Sequence, residues 1–531
     1  MTNDQSHTRH GFPRCHAALG EGGGSLFVDL AAASEYDGLL VKVTALAGEG
    51  RFPAMLPDLL RVEKAYNTVL SVPDVVFEQV ERLTINSTLQ VLPVAWSGLD
   101  RLLADPQWNV HPAGAGEVVM VWRHPMSREV HVEQAIASDL LALKVLAEEL
   151  NATAVALEGG VAVGVIDAAI AQAVERGIVI TPPSALIRPP SFARDPDPAI
   201  DPAFLRCQVF SVQWHITQTC DLHCKHCYDR TSRGEVPLAR GIAILDDIRA
   251  FCRDRHAHGQ VTFSGGNPLL HPHFLELYQA AVNRYLGVAI LGNPASRHAM
   301  EAMAAIAKPL YYQVSLEGLP EHNDYIRGRG HFARVMEFLP VLKELGIYSM
   351  VMLTLTRDNQ GQVLALAELL RDKVDLFTFN RLAMVGEGAS LLGPDKVGYR
   401  SFLGEYQAAA RSNPCMGLKD NLFNLLALEE GREVFGGCAG HGCGAAFNFV
   451  SIVADGEVHA CRKFPSPIGN IFTEPLAAIY DSARAEGYRS GSVGCVGCRV
   501  RPVCGGCLAV VHGLGLDPLR SRDPYCWLDK G

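Results

Sequence analysis

The sequence predicts an α/β protein built on a parallel sheet, with a helix-rich region before the sheet and a cysteine-rich region after it. Three observations carry this. Between residues 209 and 380 short apolar runs alternate with amphipathic helical patterns, as consecutive β/α units do. Eleven of the fifteen cysteines fall into a triplet at 220–227 and a group of eight from 438 onward. A proline-rich stretch, 182–204, separates this part from what precedes it and reads as an extended linker.

At 531 residues the chain is long enough for about two to four domains. Hydrophobic content of 48% and charged content of 20% describe a globular protein. The net charge of −10 leaves no basic footprint for general nucleic-acid binding. No apolar stretch reaches the roughly 18 residues needed to cross a bilayer. The first ten residues are polar, with no signal-peptide apolar core behind them, so the expected location is cytoplasmic. In a reducing compartment clustered thiols point to metal ligation rather than disulfides. Cys15, Cys207, Cys252 and Cys415 lie outside the clusters and read as ordinary small residues.

Residues 1–95 read as a mostly helical module, with a helix opened by proline near Pro53 and Pro57. Residues 96–181 form the next segment. Glu117–Trp122 and Glu129–Gln134 are two short runs joined by His-Pro-Met-Ser-Arg, a hairpin pattern. Leu140, Leu143, Leu146 and Leu150 follow at helical spacing, and Ile166, Ile170 and Val174 mark a second helix closed by Gly177. A hairpin followed by helices resembles the winged-helix recognition element of enzymes that modify ribosomally made peptides. The resemblance implies that a precursor's leader adds as a strand to the hairpin edge; a plain packing domain is the other reading.

After the linker, strands are expected at Val209–Ile216, Gln260–Ser264, Gly287–Leu291, Leu310–Leu316, Ile347–Thr354 and Leu376–Asn380. Helices such as Ala239–Arg255 and Phe332–Leu345 fit between them. Parallel sheets of this kind place their sites at the strands' C-terminal ends.

Directly after the first strand stands Thr-Gln-Thr-Cys-Asp-Leu-His-Cys-Lys-His-Cys-Tyr, with Cys220, Cys224 and Cys227 spaced C-x3-C-x2-C. Half a zinc site, or thiols placed there by chance, would give the same spacing. Closed structural zinc sites and electron-transfer clusters take four protein ligands, however, and three leave one metal position open. The triplet resembles the motif of the radical SAM enzymes. That resemblance implies a partial (β/α)6 barrel over 205–400. It also implies a 4Fe-4S cluster whose open iron binds S-adenosyl-L-methionine (SAM), and reductive cleavage to a 5′-deoxyadenosyl radical. No catalytic side chain is assigned beyond the cluster ligands.

Further motifs fit the same family. Tyr228 follows the last cysteine, where an aromatic residue beside the SAM adenine is common. Thr262-Phe263-Ser264-Gly265-Gly266-Asn267-Pro268 resembles the family's Gly-Gly-Glu-Pro turn, with Asn267 in place of Glu; an amide carbonyl can still accept a hydrogen bond. Ser315-Leu316-Glu317-Gly318 with Arg327-Gly328 resembles a segment expected near the SAM carboxylate or ribose. Arg327 is either a carboxylate partner or a solvent-facing structural residue. Thr354, Asn380 and Arg381 end later strands and are weaker candidates for the same cavity. His215, His223 and His226 read as solvated histidines.

Cys443 and Cys461 bracket Gly456 as C-x12-G-x4-C, and Cys495, Cys498, Cys504 and Cys507 run C-x2-C-x5-C-x2-C. Cys438 and Cys526 complete the set. Zinc knuckles would use the same residues, but the pattern resembles the SPASM domain, expected here over 401–531. It implies two auxiliary 4Fe-4S clusters, one on Cys438, Cys443, Cys461 and Cys507 and one on Cys495, Cys498, Cys504 and Cys526. Arg462 stands where sulfatase-maturing relatives have an aspartate base, which argues against their chemistry.

The resemblance is to radical SAM/SPASM peptide maturases. The runs Gly-Gly-Asn-Pro-Leu-Leu-His-Pro and Thr-Phe-Asn-Arg-Leu-Ala-Met-Val-Gly-Glu-Gly resemble the thio(seleno)oxazole-modification, or selenobiotic, branch. It implies hydrogen abstraction from a precursor peptide, at or near a Cys, with net oxidation or crosslinking. It also implies three 4Fe-4S clusters, SAM and an external one-electron donor of the flavodoxin or ferredoxin type. Other SPASM chemistry (thioether-forming, sulfatase-maturing or small-molecule-oxidising) and a non-catalytic metal- or DNA-binding protein are the alternatives.

Overall fold

The computed structural model describes residues 11–73, 80–104, 112–189, 192, 198 and 200–528. The polar first ten residues and about a third of the proline-rich stretch lie outside them. The chain divides into two compact units, Met1–Pro183 and Ser184–Gly531.

In the first unit helices run over Pro13–Ala18, Gly20–Ala32, Tyr36–Gly48 and Leu56–Leu70. The last opens with Pro57 in its first turn, where a missing N–H costs nothing. Strands follow at Thr84–Ile85 (β1), Gln90–Val94 (β2), Glu117–Arg123 (β3), Val130–Gln134 (β4) and Val179–Ile180 (β5). The expected hairpin is the antiparallel pair β3–β4. Within the stretch expected to be mostly helical, Thr84–Ile85 and Gln90–Val94 are strands; β2 pairs with β3 and tolerates Pro93 because it is an edge strand. The segments 1–95 and 96–181, expected as separate modules, share one core. Val119 and Val121 of β3 pack with Leu56, Leu59 and Leu60. On the opposite face Met120 and Trp122 pack with Ala142, Ala169 and Ala173 of the following helices. Both faces of β3 are covered, so its run is continuously apolar rather than alternating.

The second unit is a nine-stranded sheet, ordered β11-β10-β9-β8-β7-β6-β12-β13-β14. Its strands are Val209–Thr217 (β6), His258–Gly265 (β7), Gly287–Leu291 (β8), Tyr312–Ser315 (β9), Ser349–Leu355 (β10), Leu376–Arg381 (β11), Phe449–Ile452 (β12), Glu457–His459 (β13) and Pro467–Asn470 (β14). The six expected strands are all present, and β6 to β11 pair in parallel in sequence order. Helices between them include Leu238–Asp254, Phe274–Val282, Arg297–Ile306, His331–Glu344 and Val363–Leu370.

Side chains alternate between the two faces of this sheet. Phe210, Val212, Trp214, Phe263, Val351 and Phe379 belong to the helix-packed core. The other face presents Gln213, Gln260, Thr262, Gln313, Ser315 and Asn380 beside Met350 and Met352, a neutral surface that mixes amides with thioethers.

The cysteine-rich region continues this sheet. β12 pairs in parallel with β6, and β13 and β14 complete an antiparallel meander. The described part of the expected linker is also built into this unit. Arg188 lies between the rings of Phe192 and Phe447, at 4.3 and 4.0 Å. It donates to the carbonyls of Arg489 and Cys443 at 2.6 and 2.5 Å. A buried guanidinium needs such acceptors, so this stretch is a strap rather than a free linker.

Candidate active site at the cysteine loop

The loop bearing Cys220, Cys224 and Cys227 leaves the C-terminal end of β6, and neighbouring elements hold it on every side. The turn after β7 fixes its start. Gly266 N–H donates to the Thr217 carbonyl at 2.9 Å, and Asn267 N–H to that of Thr219 at 2.8 Å. A Cβ on Gly265 or Gly266 would overlap those same carbonyls, and Gly265 has φ +143°. The close approach shown by the Gly-Gly pair is therefore to the chain's own loop.

Asn267 is committed on both sides of its amide. Its Nδ2 donates to Asp221 Oδ1 at 3.0 Å, and its carbonyl accepts from Leu269 N–H at 3.3 Å. Asn293, just beyond β8, donates to the same Asp221 oxygen at 2.6 Å and lies 3.7 Å from Cys220 Sγ. A glutamate at 267 would face the Asp221 carboxylate, which gives the departure from Gly-Gly-Glu-Pro a physical reason. Pro268 opens the short 3-10 turn that follows.

The middle of the loop rests on the segment after β9, which Ser315 closes. Lys225 N–H donates to Ile326 O at 3.0 Å. Glu317 is 1% exposed. It accepts from Arg327 at 2.6 and 2.8 Å and from Thr354 N–H at 2.8 Å. Burial would raise its carboxyl, but His226, Arg327 and the Thr354 N–H together hold it below the usual range. Arg327 is therefore a half-buried carboxylate partner rather than solvent-facing, and its Nη1 lies 3.8 Å from Cys224 Sγ.

The loop's exit is held by two further segments. Glu387 N–H donates to Cys227 O at 2.9 Å, and a Cβ on Gly386 would strike the Cys227 and Tyr228 carbonyls. Tyr228 places its hydroxyl 3.2 Å from His215 Nε2, and the Arg462 guanidinium lies 5.2 Å from its ring centre.

Of the histidines read as solvated, His215 is buried and His226 is half-buried. Desolvation pushes His226 down to about 4 and His215 well below its ordinary value. His223 is exposed and meets Arg230 at 2.6 Å. Arg381 does not line the cavity either: it is buried against Asp420 and Asp523, each at 2.7 Å. Sequence reasoning missed Asp221, Asn293 and Asp229. For Asn293 the signal was available, since it ends a strand as the other candidates do.

The donor chemistry fits iron–sulfur ligation. Burial raises all three loop thiols, while Asn293 and Arg327 aim N–H groups at the Cys220 and Cys224 sulfurs, as suits thiolate ligands. Cys495, Cys498, Cys504 and Cys526 line one small enclosed cavity with Arg501 and Arg522. Arg522 donates to Cys526 Sγ at 3.1 Å. Near the other four, the half-buried Lys463 ammonium would be lowered by desolvation, but the charges of Cys438, Cys507 and Cys461 push it up. Cys461, whose neighbours include Cys443 and Cys507, is raised by burial to about 12. Among the described residues all fifteen thiols are free of disulfides.

Comparison with known proteins agrees with this geometry. Residues 214–370 match the family model of the radical SAM superfamily. Residues 443–508 match that of SPASM, an iron-sulfur cluster-binding domain. The chain carries a radical SAM domain and a SPASM domain.

The radical SAM/SPASM chain is similar to the antilisterial bacteriocin subtilosin biosynthesis protein AlbA of Bacillus subtilis. The two are 26% identical over 333 residues, which is 59% of this chain and 70% of AlbA. It is also similar to the Fe-coproporphyrin III synthase of Methanosarcina barkeri, 25% identical over 370 residues, covering 60% and 88% of the two chains. Among solved structures, Streptococcus suis SuiB bound to precursor peptide SuiA superposes with a TM-score of 0.50 at 17% identity. That match covers 78% of this chain and 97% of SuiB and shows the shared fold.

Proposed function

We propose that this enzyme modifies a ribosomally made precursor peptide by hydrogen abstraction, at or near a Cys, with net oxidation or crosslinking. The observation that carries the reading is the neutral sheet face beside the cysteine loop. Gln213, Gln260, Gln313 and Asn380 offer paired donors and acceptors there, as peptide amides require. The precursor peptide bound to SuiB and the bacteriocin made with AlbA support the same class. In the first unit β4 is an edge strand, suited to pair with a leader strand.

Cys220, Cys224 and Cys227 would hold a 4Fe-4S cluster that binds and reductively cleaves SAM, supplying a 5′-deoxyadenosyl radical. Tyr228, the 265–268 turn, Ser315 and the Glu317–Arg327 pair would frame the SAM cleft. The C-terminal thiols would hold two further clusters, one on Cys438, Cys443, Cys461 and Cys507 and one on Cys495, Cys498, Cys504 and Cys526. The substrate gives a hydrogen atom to the deoxyadenosyl radical, then loses one electron and one proton, so the product is lighter by two hydrogens. Clusters held by the two C-terminal thiol sets would accept that electron, and a flavodoxin- or ferredoxin-type donor would supply the initiating one. Among the described residues no helix is long and apolar enough to cross a membrane. A reducing cytoplasm suits so many free thiols.

The coproporphyrin synthase relative favours a second reading, a carboxylate-bearing tetrapyrrole. Against it, Arg327, Arg381 and Arg462 are each paired with a carboxylate of this chain. Anaerobic incubation with SAM, reductant and a Cys-containing precursor peptide tests the proposal. About twelve irons per chain, deoxyadenosine formation and a peptide lighter by two hydrogens are expected. Deoxyadenosine formed only with a tetrapyrrole would overturn the peptide reading.

A further inference from the structure

Arg462 follows Cys461 in the loop between β13 and β14, yet its side chain reaches the other cysteine site. It is 6% exposed. Its guanidinium pairs with Asp229 and lies 5.2 Å from the centre of the Tyr228 ring. Tyr228 and Asp229 are the two residues that follow Cys227.

Asp229 joins the two ends of the cysteine loop. Its Oδ2 accepts from Gln218 Nε2, before the first cysteine, at 3.1 Å. Its backbone carbonyl lies 3.2 Å from Cys227 Sγ. Arg233 lies 3.7 Å away on the same carboxylate and continues to Asp455 and Glu457 at 2.7 and 3.1 Å. The β12–β14 meander therefore grips the loop through two arginines on one carboxylate. Arg462 is the one of the two whose chain neighbour is itself a thiol of the C-terminal set.

We propose that Arg462 is a positioning residue: by holding Asp229 and Tyr228 it fixes the spacing of Cys220, Cys224 and Cys227, and couples that spacing to the segment bearing Cys461. The proposal rests on the reading of the triplet as the SAM site. Losing the guanidinium releases the loop's exit while leaving every thiol in place. The loop then samples several ligand spacings, of which only one presents the open position correctly to SAM. SAM binding weakens more than the rate at saturation, because a saturating cofactor selects the correct spacing.

The test uses the full-length, cluster-loaded protein and the variants R462M, D229N and R462M/D229N. Iron and sulfide content, the SAM-induced change in the EPR spectrum of the reduced protein, and the KM and kcat of deoxyadenosine formation are measured. We expect parental iron content and a KM for SAM raised about tenfold in each single variant, with kcat within about threefold, since the two residues act through one contact. The double variant should be no worse than either single one. An unchanged KM and EPR response in R462M, multiplying effects in the double variant, or loss of iron in R462M would each overturn the clamp. A parental spectrum indifferent to SAM would overturn the SAM-site reading and the clamp with it. A responding parent matched by R462M overturns the clamp alone.

Discussion

Asn267 donates its side-chain amide to the Asp221 carboxylate at 3.0 Å, so the turn after β7 and the loop after β6 meet through one neutral and one charged group. With Asn293 on the same oxygen at 2.6 Å, this junction accepts a single negative charge.

N267E is therefore expected to impair the site although it restores the commoner family residue. Two carboxylates would share one junction, and like charges so placed disfavour each other. We expect SAM cleavage to fall about tenfold, and D221N in the same chain to recover most of it, because the charge count returns to one. Deoxyadenosine assays of the two variants check this.

The Gly265–Gly266 pair should not tolerate a side chain. A Cβ at either position overlaps a loop carbonyl, and neither partner is a flexible side chain that could move aside. G266A is expected to lose iron from the triplet while the eight C-terminal thiols keep theirs. Iron analysis against a C220A/C224A/C227A control measures the loss.

Arg381 ties β11 to two segments of the C-terminal region. It pairs with Asp420 and Asp523, and Asp523 also accepts from Cys507 N–H at 2.9 Å. R381M strands two buried carboxylates, and the expected cost is about 3–5 kcal/mol. R381M/D523N should be less destabilised than R381M. Urea unfolding of both variants gives the comparison.

His331 gives a pH dependence. Desolvation first, then Arg327 and Arg334, push it down to about 4, against the opposing pull of Glu317 and Asp324. The unfolded histidine titrates near 6.5, so the folded state prefers the neutral ring. Its stabilising contribution is complete above about pH 6.5 and is lost as pH falls through about 4. His331 Nδ1 meets Asn323 Nδ2 at 3.2 Å, and H331N retains an acceptor there without the titration. Thermal unfolding between these pH values should fall less steeply for H331N than for the parent.

Much of the fold was legible because its signals are local. The strands β6 to β11 show as apolar runs between amphipathic helices, and Cys220, Cys224 and Cys227 announce themselves by spacing. β2 was hidden in a region read as helical, since a short edge strand acquires its identity only by pairing with β3. The single core shared across residue 95 was hidden for a related reason. Its contacts join Leu59 to Val119, residues far apart in the chain.

Side-chain partners were the least legible part of the site. Arg327 and Arg381 read as candidate site residues; Arg327 pairs with Glu317 of its own segment, and Arg381 is buried against Asp420 and Asp523 from distant segments. His215 and His226 read as solvated and are enclosed. A loop histidine's burial depends on what folds over it, which its own neighbours in sequence do not specify.

By itself the sequence determined the chemistry on offer: three thiols on one short loop after a strand, eight more downstream, and a Gly-Gly turn between. Covalent spacing limits how far apart such groups can lie, so these features survive without knowledge of the fold. The tertiary structure decided which charges cancel. It set Asn267 against Asp221, Arg327 against Glu317 and Arg462 against Asp229, because a buried charge is tolerated only where the fold brings its partner.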